Sequence, residues 1–94
     1  MSWQVLVTKH AEKQINKLPM YAAKELLTLM YDIRLNGPIR SNWRPFSKLK
    51  GNKNLYHCHI KSGSPTYVAC WEVIDKKIKI VEVYYAGTHE KAPY

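Results

Sequence analysis

The tripeptide Asn36-Gly37-Pro38 divides the chain into two parts with different hydrophobic periods. Glycine suits the left-handed C-cap of a helix and proline cannot continue one, so a helical region ends here. Ahead of it, Ala11, Ile15 and Leu18 recur at i, i+4 and i+7, with Lys9, Glu12, Lys13, Gln14 and Lys17 between them. That spacing predicts a helix with one apolar face, and Thr8 is placed to cap it. Pro19 ends this helix or opens the next, because it has no backbone N–H to donate. Met20–Asn36 then reads as a longer helix, with Ala22, Leu26, Leu29, Met30 and Ile33 as its buried stripe. Only a turn separates the two, which predicts an antiparallel hairpin. Residues 3–8 are short, apolar and β-branched, as a first strand would be.

Beyond Pro38 the pattern shifts towards period two. Residues 37–53 form a long connection rich in Pro, Gly, Asn and Ser, and positive through Arg40, Arg44, Lys48, Lys50 and Lys53. Loops of this length in small domains are commonly functional, and Trp43 and Phe46 are expected to pin it to the body. Three strands follow, at residues 55–61, 66–74 and 78–85. The second is apolar on both faces, which predicts a strand covered on both sides. Short turns join them, so they form a meander. The expected architecture is α+β, in the order β-α-α-β-β-β. Its sheet is antiparallel, with the two-helix hairpin on one face and the first strand added at an edge or at the centre. Residues 1–94 make a single domain.

Fifteen Lys and Arg against seven Asp and Glu give a formal net charge of +8. Such a surplus draws a protein towards polyanions, with nucleic acid or an acidic protein as partner. No apolar run approaches the ~20 residues of a membrane span, and the first residues lack the charged start and cleavage site of a signal peptide. A cytoplasmic protein with no membrane partner is expected. Cys58 and Cys70 have no motif spacing and read as buried thiols.

Histidines are the residues most able to carry chemistry here, since imidazole exchanges protons near neutral pH. On a strand at residues 55–61, Leu55, His57, His59 and Lys61 face one way and Tyr56, Cys58 and Ile60 the other. His57 and His59 then stand roughly 6.5–7 Å apart along the chain, a separation that can straddle a phosphate. The same pattern also suits two surface histidines on a solvent-facing strand. Cys58 points away from them and no further ligand completes a metal set, so no metal and no cofactor is expected. His89 follows Gly87-Thr88 just after the last strand, where glycine would let the chain turn back. Tyr94 can fold beside it. Lys48 and Lys50 flank Leu49 and can neutralise phosphate. His10 lies among charged residues and reads as surface.

The order of elements, the segment Phe46-Ser47-Lys48-Leu49-Lys50-Gly51, the strand Tyr67-Val68-Ala69-Cys70-Trp71-Glu72-Val73 and the ending Tyr85-Ala86-Gly87-Thr88-His89 together resemble the RelE/ParE superfamily of bacterial toxins. The resemblance spans nearly the whole chain. It implies the toxin of a type II toxin–antitoxin system, neutralised by a cognate acidic antitoxin. The RelE-like branch cuts mRNA on the ribosome without a metal; the ParE-like branch inhibits DNA gyrase. In the RelE-like branch, the lysines that act near the scissile phosphate match Lys48 and Lys50. The histidine at the end of the second strand matches His59, that of the G-T-H ending matches His89, and a later aromatic residue matches Tyr94. RelE itself has arginines where this chain has Val68 and His89, so the resemblance is to the histidine-using, YafQ-like subgroup. By this reading His59, His89, Lys48 and Lys50 are catalytic. Arg44, Lys61 and Tyr94 are expected to contact RNA, with Arg44 or Lys61 standing in for the missing arginine; His57 is expected to join them on strand parity alone, without a firm family counterpart.

Overall fold

The computed structural model describes residues 2–43, 45–49 and 54–94. Its strands and helices run β1 (Gln4–Val7), α1 (Lys9–Asn16), α2 (Met20–Asn36), β2 (Phe46–Lys48), β3 (Leu55–Lys61), β4 (Tyr67–Asp75) and β5 (Ile80–Thr88), followed by a short 3-10 turn at His89–Lys91. The five strands form one sheet in the order β1-β5-β4-β3-β2.

The helical half follows its sequence signals closely. Thr8 accepts a hydrogen bond from the Ala11 N–H through Oγ1, at 3.0 Å, and so caps α1. Pro19 sits in extended conformation at the N-cap of α2, so it opens the second helix. Gly37 ends that helix at φ 96°, its N–H bonded to the Ile33 carbonyl at 2.8 Å. A Cβ at Gly37 would also press on the Trp3 ring at 3.2 Å, so packing as well as conformation asks for glycine.

Two features of the sheet differ from expectation. The connection 37–53 holds a further strand, β2, with Phe46, Ser47 and Lys48 paired to Cys58, His57 and Tyr56. Three residues carry too little periodicity to announce a strand, and what recruits them is Phe46. Its ring stacks on Tyr56 at 5.8 Å and on Trp71 at 6.0 Å. The sheet is also mixed, because β1 lies parallel to β5 at one edge. The chain passes through both helices and enters the meander at its far edge, so β1 borders the last strand instead of the next one. The last strand itself begins later, at Ile80, after Lys79 takes φ 57° in the turn, and it runs on to Thr88.

The core lies between the helices and one face of the sheet. Leu26, Leu29 and Ile33 of α2 and Ala11 of α1 meet Tyr56, Cys58 and Ile60 of β3, Ala69, Trp71 and Val73 of β4, and Val81 and Val83 of β5. A second, smaller cluster occupies the opposite face: Val68, Cys70 and Tyr85, covered by Tyr84 and Ala92. β4 is therefore covered on both sides, as its sequence predicted. Asp32 ties the long connection to α2. It pairs with Arg40 at 3.0 Å and accepts from Asn36, Asn42 and the Trp43 indole at 2.7, 3.0 and 2.9 Å. Burial alone would raise its pKa; the bonds from Asn42, Asn36, Trp43 and Arg40 outweigh that and hold it well below the usual carboxylate range.

Trp71 is the largest fully buried side chain, stacked at 6.3 Å on Tyr56, and its indole N–H reaches the Pro38 carbonyl at 3.0 Å. Trp71→Ala should cost about 3–5 kcal/mol of stability, the usual loss for a buried aromatic. Urea denaturation measures it, and an unchanged midpoint would contradict this packing.

Candidate functional site

The site forms on the sheet face away from the helices, and the strand register builds it. His57 lies opposite Cys70 and His59 opposite Val68; on the next strand Cys70 lies opposite Tyr85 and Val68 opposite Gly87. Directly opposed residues share a face, so both imidazoles stand over a floor of Val68, Cys70 and Tyr85. The chain leaves β5 at Thr88 and turns through His89–Lys91, fastened by the His89 N–H to the Thr66 carbonyl at 2.8 Å. The tail then folds back over the floor.

Four of the residues singled out from sequence come together there. The rings of His59 and His89 meet edge to face with centroids 5.5 Å apart. Tyr94 packs on His57 at 4.3 Å and edge-on to His89 at 6.0 Å. Beside the His59–His89 pair, a cleft of about 330 Å³ opens between the β3–β4 turn and the C-terminal turn, lined in part by Thr66, Thr88 and Glu90.

Gly87 serves this geometry in a different way from the sharp turn expected of it. A Cβ there would lie 2.8 Å from the Tyr85 hydroxyl, which crosses it to donate to the Thr88 carbonyl at 2.7 Å. The glycine makes room for a bond that braces the residue just before His89.

The cations are placed differently. Lys48 is exposed and pairs with Tyr56, so its strand position belongs to the helix side of the sheet; the residue of β2 that shares a face with His57 is Ser47. Lys61 does not continue the alternation of His57 and His59. A bulge after His59 shifts the register, and Lys61 lies opposite Tyr67, whose ring meets Tyr21 of α2 at 6.2 Å. Arg44 and Lys50 lie outside the described residues. His10 is exposed on α1.

Ser47 was not legible as a site residue. Its hydroxyl lies 3.2 Å from His57 Nδ1, a contact that depends on the β2–β3 register and has no sequence motif.

The electrostatics follow from partial burial and crowding. Burial lowers the His57 pKa, and the neighbouring His59 and His89 lower it further, against a small opposing hydrogen bond at Ser47. His59 is likewise lowered, by burial first and then by His89. Cys58 and Cys70 are buried and free, and burial pushes both thiols up to about 12, so neither is a ready nucleophile. Among the described residues, no group of three or more His, Cys, Asp or Glu is arranged to hold a metal ion.

The whole arrangement of sheet, hairpin and tail is the fold of the RelE-like toxins. Protein-family models and curated protein sequences give no match; solved structures do. The chain is similar to the free state of an Escherichia coli RelE toxin carrying two arginine-to-alanine changes, with 23% identity and a TM-score of 0.76 over 98% of this chain and 88% of that one. RelE in the intact E. coli RelBE toxin–antitoxin complex is 23% identical, with a TM-score of 0.73 over 96% of this chain and 100% of that one. The Staphylococcus aureus YoeB dimer is 16% identical, with a TM-score of 0.72 over 95% and 99%. The expected resemblance thus holds for the fold.

The lowered imidazoles give stability a pH dependence. In the unfolded chain they titrate near 6.5, and in the folded protein below that. The unfolded state therefore binds more protons just below pH 6.5, and stability falls as pH drops through that value and recovers above it. Urea midpoints measured from about pH 5 to about pH 8 should rise with pH. The slope should shrink in the His57→Gln, His59→Gln double variant; an identical slope would contradict the crowding of these rings.

Proposed function

We propose that this protein is the toxin of a type II toxin–antitoxin system and acts as a ribosome-dependent mRNA endoribonuclease of the histidine-using, YafQ-like kind. The observation that carries the reading is the edge-to-face approach of His59 and His89 at 5.5 Å beside an open cleft. Two imidazoles at one phosphate can supply the base and the acid that a proton-transfer cleavage of RNA requires. The fold, shared with RelE and YoeB toxin structures, supports the same setting. The gyrase-inhibitor alternative draws nothing from those structures.

In the proposed reaction the ribose 2′-oxygen attacks the adjacent phosphorus and the bond to the 5′-oxygen breaks. The products are a 2′,3′-cyclic phosphate and a 5′-hydroxyl. His59, disposed to neutrality by its burial and by His89, takes the 2′-hydroxyl proton. His89 returns a proton to the departing 5′-oxygen. Lys48 and Lys61, on the helix side of the sheet, attract the RNA backbone by charge without reaching the scissile phosphate. Lys50 is assigned to phosphate charge and Arg44 to the RNA backbone by family resemblance, and Tyr94 offers a ring on which a base can stack.

The partner is an acidic antitoxin, and the setting is the cytoplasm, where mRNA meets the ribosome. E. coli, Pyrococcus horikoshii and Mycobacterium tuberculosis toxins of this fold are seen in complex with antitoxins. With a net charge of +8, association should be steered electrostatically, and its rate should fall as salt rises. Stopped-flow binding checks this; a salt-independent rate would point to an apolar encounter.

The catalytic test is a ribosome-dependent mRNA cleavage assay read by primer extension. His59→Ala and His89→Ala should each lose ~10²–10⁴ in rate. The double variant should lose far less than the product, because the two act as a unit. Full cleavage by both single variants would overturn the assignment.

A further inference from the structure

His57 is the histidine of this face that the proposed chemistry leaves unused, yet it makes the tightest ring contact of the site. Its centroid is 4.3 Å from Tyr94, against 5.5 Å for His59–His89 and 6.0 Å for His89–Tyr94. We propose that His57 is a positioning residue: held at Nδ1 by Ser47, its ring seats Tyr94 and thereby fixes the C-terminal tail so that His89 stays opposed to His59. The importance of that opposition rests on the ribonuclease reading; the seating of the tail does not.

Three observations converge. The first is the tether on β2. Ser47 lies directly opposite His57 in the register, with its hydroxyl 3.2 Å from Nδ1. One ring nitrogen is thus engaged from the strand side, which sets the plane of the imidazole that Tyr94 meets. The second is the shape of the tail. The 3-10 turn is fastened at its start, by the His89 N–H to the Thr66 carbonyl, and closes on itself through the Ala92 N–H to the His89 carbonyl at 3.2 Å. Ala92 packs on the Val68–Cys70–Tyr85 cluster. Beyond Ala92, the ring contacts of the tail are those of Tyr94 with His57 and His89. Docking of the Tyr94 ring on His57 is therefore what ties the segment after Ala92 to the sheet through an aromatic contact.

The third is charge. Burial, then His59 and His89, disfavour the cationic form of His57. A ring less inclined to carry charge is a weaker phosphate ligand and a better packing surface, which favours support over the RNA contact expected of His57. Ser47–His57–Tyr94 then forms a strut from the sheet edge to the tail, and His89 stands at the first of the two points at which the tail is held, with its ring against Tyr94 at the second.

Substitutions that separate ring from charge test this in the full-length protein. His57→Phe keeps an aromatic surface and carries no charge; His57→Lys keeps charge and loses the ring. NMR order parameters along residues 90–94 report the tail without any substrate. They should fall in His57→Ala, His57→Lys and Tyr94→Ala, and recover in His57→Phe. In the cleavage assay, kcat should drop ~10- to 100-fold in His57→Ala and His57→Lys with KM nearly unchanged, the signature of misplacement without lost binding. Ser47→Ala should show a weaker form of both effects. A tail as ordered in His57→Ala and Tyr94→Ala as in the wild type would overturn the proposal, as would an active Lys variant beside a defective Phe variant. If the wild type cleaves no RNA, the ribonuclease reading fails alone, and the order parameters still decide whether His57 seats the tail. Should His57→Ala not fold, Tyr94→Ala probes the same contact from the chain end.

Discussion

The pairing of β3 with β4 decides which way the two strand imidazoles of the site point. His57 opposite Cys70 and His59 opposite Val68 place both imidazoles on the tail side, while Tyr56 and Cys58 go to the core. A slip of one residue would exchange the two sets. It would drive imidazoles into the apolar core and expose Tyr56, whose ring stacks on both Phe46 and Trp71. Burying polar groups without partners is costly, so the stacked aromatics on one face protect the histidine register on the other. The bulge after His59 ends that alternation where the strand meets its turn. It sets His59 at the limit of the regular face, next to the cleft.

The long connection contributes from the rear. Asp32 gathers Arg40, Asn42 and Trp43, so the chain leaves α2 in one defined direction. Pro45 then accepts the His59 N–H at 3.3 Å, Phe46 docks on the aromatic stack, and Ser47 arrives opposite His57. A carboxylate on a helix and a hydroxyl at the sheet edge are thereby mechanically linked, although neither carries the chemistry.

The helical hairpin was legible because its signals are local: Thr8 as a cap, Pro19 between the helices, Gly37 at the end and a stripe of apolar residues in α2. The strand alternation that faces His57 with His59 was equally local. Signals that depend on distant partners were not legible. β2 exists because Phe46 finds Tyr56 and Trp71, and β1 lies parallel to β5 because the hairpin returns the chain to the far edge. Lys61 seemed to share the histidine face because alternation takes no account of a bulge. Lys48 seemed to approach it because a connection read as loop has no register. The meeting of His59, His89 and Tyr94 was expected from the family resemblance, and Tyr94 beside His89 from the short tail. Ser47 had no such pointer.

The separation of charge from chemistry follows from these placements. A net charge of +8 is well suited to gathering a polyanion. Yet the centre of the histidine face is held towards neutrality by burial and by the mutual repulsion of its rings. Were Lys48 and Lys61 pointed into that face, their charges would disfavour the protonated imidazoles further. The register of β2 and the bulge of β3 instead assign those cations to the helix side of the sheet. A polyanion can be attracted by the surface as a whole, while the histidine face is spared the further positive charge of those two lysines.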